Sequence, residues 1–426
     1  MTAQPAFRMH DREFVAMMAS VMALNSLAID TMLPAFPAIG QSLHVGDPNA
    51  LQFIITSYLL ANAVGSLVAG PLADRFGRRP IMLLSIFFAA LGGLASAIAP
   101  SYEMLLVVRA MHGFFAAGLG VLAMSVIRDR FSGDRMARLM SLILITFLVI
   151  PVIAPTLGQI IISVASWREI FHVLAAAAAL VFVWVLLRLP ETLPAGHRHP
   201  IHPAVILRNW KIVVTDRLGL GYMIGAGVVM GGMFGFLNSA QQIFSDVFHA
   251  ANIFPYAFAC VAGAMAVANF SNSRIVERFG ARRVSHIALI AFIILSLCQL
   301  AASAFIRPEP MPLFLMLVAL NMGMVGFTGS NFGSIAMEPF GRIAGSASSF
   351  QSFARMALAS LIGAMTGQRF NGTTLPLAEG FVAAGLIGLG FILWAENGQL
   401  FTRPRKAAQR PDPATATLSS ADQASL

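Results

Sequence analysis

Charged residues are rare inside the long apolar runs of this sequence, and those that occur there are the ones that could do chemistry. Asp30 and Arg109 are each flanked by apolar residues on both sides. Burial favours the neutral form of a carboxyl group, whereas a nearby guanidinium favours the carboxylate. A rearrangement that separates the two groups would promote proton uptake at Asp30, and one that joins them would promote proton release. The sequence therefore predicts a proton-coupling pair.

The two residues are predicted to pair because they lie at the same depth in their apolar runs. Arg109 lies seven residues after Tyr102, and Asp30 lies seven residues before Pro37. At a rise of about 1.5 Å per residue, both lie ~10 Å from the same end of their helices. Asp30 is also the only acid far from the ends of the apolar runs. The alternative is a permanent ion pair that only clamps the two helices together.

A second buried cation, Arg355, lies near the middle of another apolar run. It would contact a substrate or compensate Asp30 if it faces a cavity; alternatively its head group extends to the surface or bonds a buried carbonyl. Two cations against one acid favour neutral or anionic substrates over dications. Further candidates for the binding site are polar residues within apolar runs: Asn25, Tyr58, Asn62, His112, Asn238, Asn321 and Gln351. Hydrogen bonding between helices is an equally common role for such groups.

The elements that must position these residues are membrane-spanning helices. Of the 426 residues, 57% are apolar and 11% are charged, whereas a soluble domain carries about 25% charged residues. A span needs ~20 apolar residues. Twelve runs qualify, at about 14–37, 51–72, 80–100, 102–126, 138–164, 168–189, 217–240, 252–273, 284–305, 312–335, 343–367 and 377–397.

The net charge of +9 reflects membrane topology rather than nucleic-acid binding. If the N-terminus is cytoplasmic, the cytoplasmic segments carry 23 of the 28 Lys and Arg residues and the outer loops carry three. Cationic loops are retained on the cytoplasmic side during insertion, so both termini are expected there. The two Lys residues lie outside any phosphate-binding loop, and the two Cys residues form no metal-binding pattern. No cofactor is predicted.

The chain divides into two similar halves. The longest polar connection separates the sixth run from the seventh, and the segment starting at Asp74 is repeated 203 residues later at Glu277. Repeats in the same orientation are a transporter architecture with the substrate site between the halves. The expected domains are a six-helix bundle at 1–189, a cytoplasmic linker at 190–216, a second six-helix bundle at 217–400 and a disordered tail at 401–426.

The first cytoplasmic turn reads GPLADRFGRRP over residues 70–80. Its spacing resembles the loop signature of the major facilitator superfamily, G-x-L-a-D-r-x-G-r-r. A merely positive loop would explain the arginines but not the two glycines and the acid. The resemblance implies a conformational switch in which Asp74 braces the two halves in the outward-facing state. The matching residues are Gly70, Asp74, Arg75, Gly77, Arg78 and Arg79.

Three further segments resemble the drug:proton antiporters of that superfamily, in particular the bicyclomycin and chloramphenicol resistance (Bcr/CflA) branch. Residues 30–37 match its D-x-x-L-P-x-x-P opening, and Arg109 lies in an l-x-x-x-R-x-x-q-G element with His112 at the Gln position. The fifth run reads PVIAPTLGQ over residues 151–159, which is similar to the antiporter element G-P-x-x-G-G. It departs from that element at Ala154, which replaces the first Gly, and at Gln159, which replaces the last. The resemblance adds these residues to the switch: Arg128, Asp129, Pro151, Pro155 and Gly158.

Together the residues and the resemblance predict an all-α membrane protein of twelve spans in two pseudo-symmetric bundles, exporting small molecules in exchange for protons. A proton-coupled carrier for one neutral or anionic metabolite is the alternative within transport, and a membrane sensor that does not transport is the alternative outside it. An enzyme is not expected, since the spans hold no paired acids, H-E-x-x-H or Ser/Lys dyad. A monomer in the bacterial inner membrane is expected, with the bilayer and a small molecule as its partners.

Overall fold

The computed structural model describes residues 9–131, 133–194, 196 and 202–401, and within this part the chain forms fourteen α-helices. The predicted tail, apart from Phe401, and the first eight residues lie outside the described residues. The helices are α1 (Asp11–Asp30), α2 (Phe36–Ser42), α3 (Phe53–Phe76), α4 (Arg78–Ala97), α5 (Tyr102–Arg130), α6 (Gly133–Val164), α7 (Trp167–Arg188), α8 (Pro203–Thr215), α9 (Arg217–Gln242), α10 (Phe254–Phe279), α11 (Ala281–Phe305), α12 (Met311–Met337), α13 (Ala344–Gln368) and α14 (Leu375–Ala395).

Twelve of these helices, all except α2 and α8, are 20 residues or longer and coincide with the predicted spans. Ten helical segments of the described chain are long and apolar enough to cross a membrane. The other two of the twelve are α6 and α13. Helix α13 is less apolar because its first nine residues include four serines and a glutamine. A polar helix end in this position suits a surface that lines a cavity rather than lipid.

The helices form two bundles, α1 and α3–α7 in one and α9–α14 in the other. The bundles contact each other mainly through two helix pairs, α3 with α13 and α6 with α10. Helix α8 lies in the predicted linker and packs against α13, where the Asn209 side chain donates to the Ser346 hydroxyl at 3.2 Å. A hinge-like interface of two helix pairs leaves the space between the remaining helices free for a pathway.

Two tight turns show the internal repeat directly. Gly77 joins α3 to α4 with φ 104° and ψ 157°, and Gly280 joins α10 to α11 with φ 84° and ψ 148°. Side chains are strongly disfavoured in this region of backbone space, so both turns require glycine. The turns are 203 residues apart and occupy equivalent positions in their bundles. We call the end of the molecule that carries these turns the Arg-rich face, and the other end the opposite face.

The first predicted span is broken in its middle. Helix α1 ends at Asp30, a short 3-10 segment covers Leu33–Ala35, and α2 continues to Ser42. The cause is Pro34, which has no N–H to donate to the carbonyl of Asp30 four residues earlier. The predicted span at 14–37 falls within one segment long and apolar enough to cross a membrane, Asp11–Ser42, and the prolines that carry the family resemblance interrupt its helix. Asp30 lies at that interruption.

Candidate functional site

Asp30 is buried, with 6% of its surface exposed, and is the last residue of α1. Its one hydrogen bond within the described chain comes from the Ser26 hydroxyl, one turn earlier, at 2.8 Å. Helix α6 packs closely beside it, since a Cβ added at Gly158 would lie 1.9 Å from the carbonyl oxygen of Thr31. The carboxyl group therefore lies where α6 meets the break in α1.

Arg109 is fully buried in the same bundle. Its Nη2 donates to the carbonyl of Ala28 at 2.9 Å, and its Nη1 lies 3.2 Å from Nδ1 of His112. The guanidinium also lies over the Tyr58 ring, 4.4 Å from the ring centre, which is a favourable arrangement for a cation. Its Nε is buried without a hydrogen-bond partner. This cation is held by neutral groups.

The predicted ion pair between Asp30 and Arg109 is not formed. Within the described chain no carboxylate oxygen lies within 4 Å of the Arg109 guanidinium. The depth argument was correct to within two residues, because Arg109 reaches α1 at Ala28. Residues two apart on a helix face different sides, however: Arg109 approaches α1 from α5 at Ala28, and the Asp30 carboxylate accepts from Ser26 instead. The arrangement is not the permanent clamp either, since that alternative also requires the pair.

Arg109 and four other sequence-predicted residues form one polar cluster. The Tyr58 hydroxyl donates to Oδ1 of Asn25 at 2.5 Å, and Nδ2 of Asn62 donates to the Gly113 carbonyl at 3.1 Å. Gly113 is required for this packing, because an added Cβ would lie 2.0 Å from the Tyr58 carbonyl oxygen. The cluster comprises Asn25, Tyr58, Asn62, Arg109 and His112.

The remaining predicted binding residues lie in the second bundle. Asn321 accepts from the Ser296 hydroxyl at 3.0 Å and donates to a carbonyl of its own helix, so it joins α11 to α12. Gln351 donates to the Gly333 carbonyl at 3.0 Å. Asn238 is buried near the opposite face, and its Oδ1 has no partner among the described residues. Arg355 lines a separate cavity.

The predicted switch residues of the first half form a charged cluster at the Arg-rich face. Arg78 bonds the Asp74 carboxylate at 2.6 Å and the Asp129 carboxylate at 3.0 Å. Glu191, whose role the sequence did not reveal, accepts the backbone N–H groups of Arg78 and Arg79 at the start of α4. A carboxylate at a helix N-terminus is favourable.

The other switch residues are spread along three helices. Arg75 is exposed and lies over the Phe76 ring, and Arg128 donates to the Met124 carbonyl of its own helix. Gly70 brings α3 close to α13, since an added Cβ would lie 3.3 Å from the Ser349 hydroxyl. Both prolines of the fifth span, Pro151 and Pro155, lie inside α6.

The second half contains a comparable cluster that the sequence analysis missed. Arg282 bonds Glu338 at 2.8 Å and Glu396 at 2.7 Å. The Tyr222 hydroxyl donates to Glu396 at 2.8 Å and lies 2.8 Å from Nε2 of His286. The available signal was the position of Arg282, which is 203 residues after Arg79, although the rest of the second loop motif is degraded.

The two faces of the molecule differ in how the bundles meet. At the opposite face a group of amides joins them: Gln52 donates to Gln242 at 2.6 Å and to the Gly367 carbonyl at 3.1 Å, and Asn49 donates to the Phe370 carbonyl at 2.9 Å. At the Arg-rich face a cavity of about 620 Å³ separates α3 and α5 from α8 and α13. The bundles are therefore closed at one face and open at the other.

Comparison with known proteins identifies this architecture. Residues 18–364 match the sequence profile of the Major Facilitator Superfamily. The protein belongs to this superfamily. Within the superfamily it is 30% identical to the bicyclomycin resistance protein homolog of Haemophilus influenzae over 365 residues, covering 85% of this chain and 91% of that protein. It is 29% identical to the uncharacterized MFS-type transporter YdgK of Bacillus subtilis, covering 89% and 94%.

Other relatives in the superfamily are named multidrug resistance proteins or a chloramphenicol resistance protein. The D-xylose–proton symporter shares the major facilitator fold, with a TM-score of 0.70, 15% identity and coverage of 91% of this chain and 99% of that one. The chain is thus a multi-pass membrane transporter of the major facilitator type and not an enzyme. The resemblance to the Bcr/CflA branch is confirmed by its relatives.

Proposed function

We propose that this protein exports small molecules, including antibiotics, in exchange for protons by alternating access. The observation that carries the proposal is the pair of buried, separated charges in the first bundle. Asp30 has only a serine hydroxyl as partner, and Arg109 is held by a carbonyl two residues from Asp30. A carboxyl group that is free of its cation favours the protonated form when it is buried.

The proton cycle then follows from a change of partner at Arg109. We assign a proton to Asp30 in the present state, in which Arg109 bonds the Ala28 carbonyl. When Asp30 releases the proton, its carboxylate attracts the guanidinium, because two opposite charges attract strongly in a poorly polar interior. Arg109 exchanges the Ala28 carbonyl for the Asp30 carboxylate. Reopening toward the other side separates the pair again, and Asp30 takes up the next proton.

The orientation of the protein in the membrane rests on the positive-inside rule. With the Arg-rich face in the cytoplasm, the cavity of about 620 Å³ opens inward and the amide group closes the outer side. Asp74 lines this cavity together with Ala344 and Gly345 at the N-terminus of α13. When the bundles close at this face, the Asp74 carboxylate meets the positive end of α13, which stabilises the outward-facing state.

The same proposal includes the remaining expectations for this chain. It is a monomer in a bacterial inner membrane with both termini cytoplasmic, the domains divide at 189 and 217, and the proton gradient is the driving force without a cofactor. Two arginines inside the spans, Arg109 and Arg355, against one acid, Asp30, favour neutral or anionic substrates. The relatives named for bicyclomycin and chloramphenicol resistance suggest those two compounds as first probes.

Transport into proteoliposomes tests the proton carrier. With an acidic interior, the wild-type protein should drive uptake of labelled chloramphenicol or bicyclomycin. Asp30→Asn should abolish this gradient-driven uptake but retain counterflow of labelled against unlabelled compound, because counterflow requires no net proton movement. The matched control is Glu169→Gln, which removes an exposed carboxylate that pairs only with His172.

Two outcomes would contradict the proposal. Gradient-driven uptake that survives in Asp30→Asn would place the proton carrier elsewhere. Absence of counterflow by the wild-type protein for every probe, in preparations that are folded and monodisperse, would favour a sensor that does not transport.

A further inference from the structure

Arg355 is the second arginine within a span, and its charge has no partner. It is the twelfth residue of the 25 in α13, so it lies far from both ends of the helix. Within the described chain no carboxylate lies within 4 Å of its guanidinium, and its Nε is buried without a hydrogen-bond acceptor. A cation without a partner at this depth is costly and usually has a function.

The guanidinium lines a cavity of about 200 Å³ inside the second bundle. The cavity is bounded by α9, α10, α12 and α13 and has an apolar side made of three methionines, Met230, Met233 and Met265. Methionine side chains adapt to ligands of different shape. On its polar side the Ser330 hydroxyl donates to the Asn269 amide oxygen at 3.2 Å, and both residues line the cavity with Arg355.

The position of Arg355 is fixed by close helix packing. Helix α9 approaches α13 at Gly227, where an added Cβ would lie 3.3 Å from the Cα of Arg355 and 2.9 Å from the Cβ of Leu358. The base of the arginine therefore cannot move away from the cavity without separating two helices. A fixed cation beside an adaptable apolar wall is suited to a ligand with an anionic group on an apolar body.

We propose that this cavity is an anion-binding subsite for the transported compound, with Arg355 as the residue that binds a carboxylate. The proposal rests on the proposed function, because it takes the ligand to be the substrate. An anionic ligand would supply the partner that the protein itself does not provide. Compounds with an aromatic or branched apolar body and one carboxylate fit both sides of the cavity, whereas a cationic compound would meet an uncompensated guanidinium.

Equilibrium binding to the purified full-length protein in detergent tests the subsite. The probes are naphthoate, its neutral amide and the corresponding aminomethyl compound, which share one apolar body and differ in charge. The wild-type protein should bind naphthoate about tenfold tighter than the amide, as a charge-assisted bond exceeds a neutral one by roughly 1.4 kcal/mol. The amine should bind weakest.

Three variants identify Arg355 as the cause. Arg355→Gln should reduce the preference for naphthoate over the amide to within about twofold, and Arg355→Lys should retain most of it. If Arg355→Gln fails to fold, Ser330→Asp keeps the arginine but places a competing carboxylate in the cavity and should also remove the preference. A preference that persists in Arg355→Gln or Ser330→Asp, or is absent from the wild-type protein, would overturn the proposal.

The anion-binding subsite and the proton-coupling proposal can each be wrong while the other is right. Binding in detergent involves no proton gradient, and Asp30 lies in the other bundle, so Asp30→Asn should keep the preference for naphthoate. Conversely, Asp30→Asn could abolish gradient-driven uptake while Arg355→Gln leaves the preference for naphthoate unchanged. In that case only the anion-binding subsite would be wrong.

Discussion

The two buried charges of the first bundle lie on neighbouring helices without touching, and this separation carries most of the functional argument. Arg109 directs its two terminal nitrogens to the Ala28 carbonyl and His112 and lies over the face of Tyr58, while its Nε has no partner among the described residues. None of these groups compensates a full positive charge. The native state therefore contains a desolvated cation that contributes little or nothing to stability.

Replacing Arg109 by an apolar residue should reduce transport without reducing the stability of the protein. We expect Arg109→Met to keep or raise the unfolding temperature in detergent, because replacing a buried charge by an apolar side chain of similar size is often neutral or stabilising. Gradient-driven uptake should fall at least about tenfold, because the coupling loses its cation. Arg109→Lys, which keeps the charge but not the fork of donors, is the control. A fall in unfolding temperature as large as that of a core truncation would show that Arg109 is mainly structural.

For individual residues, the sequence predicted which side chains are functional but not which groups they contact. Asp30, Arg109 and Arg355 could be found because a charge inside an apolar run is conspicuous. Their partners could not, because a guanidinium can donate to a carbonyl or an imidazole, or lie over an aromatic face, as well as pair with a carboxylate. The choice depends on side-chain directions two residues apart on α1, which spacing along the chain does not specify.

Among the helices, the contact between α6 and the break in α1 positions Asp30. Gly158 is one of the residues that the family resemblance assigned to the antiporter element, and its role here is steric. Its backbone lies against the Thr31 carbonyl, and a Cβ added at Gly158 would also lie 3.4 Å from Cδ of Pro34. The family motif in α6 and the family motif in α1 are therefore two sides of one contact.

A methyl group at this contact should disturb the site. Gly158→Ala should lower the free energy of unfolding by about 1–3 kcal/mol, because the added Cβ can be accommodated only by moving backbone. It should also reduce gradient-driven uptake. Gly120→Ala in α5 is the matched control, because nothing lies within 4 Å of its added Cβ, and it should be neutral or slightly stabilising. Equal effects of the two substitutions on thermal unfolding would contradict the assigned contact.

The helices themselves were largely predictable, since each span is a long apolar run bounded by charge, Pro or Gly. The break after Asp30 was missed because hydropathy does not register a lost backbone hydrogen bond. The polar start of α13 and the helix α8 inside the predicted linker were also outside what apolar patterning detects. Both features depend on how one helix packs on another, which apolar patterning does not describe.

At the scale of the whole molecule, neutral amides join the two bundles at the opposite face. Gln52 of the first bundle makes two of the bonds that cross to the second, to Gln242 and to the Gly367 carbonyl. The sequence indicated the two bundles through the repeat at an offset of 203 residues. It did not indicate which state they adopt, because the amides at residues 52 and 242 are 190 positions apart and meet only after folding.

Weakening this amide group should shift the balance between the two states. Gln52→Ala removes three bonds between the bundles, the two that Gln52 donates and a longer one that it accepts from Gln368 at 3.4 Å. The two donated bonds are worth roughly 1 kcal/mol each, so the population open at the opposite face should rise by at least about thirtyfold relative to the closed one. Thr56→Val is the control, because the Thr56 hydroxyl bonds only the Gln52 carbonyl within the same helical segment. That variant should leave the populations unchanged.

Spin-label distances across the outer side measure this shift directly. Labels at Gln41→Cys and Asp246→Cys lie on exposed positions of different bundles, and the two exposed native cysteines, Cys260 and Cys298, are first replaced by serine. In the Gln52 variant a second, longer distance should appear beside the one seen with Gln52 present. If the distance distribution is the same in both proteins, the amides do not hold the outer side closed, and the close packing of α3 against α13 must do so instead.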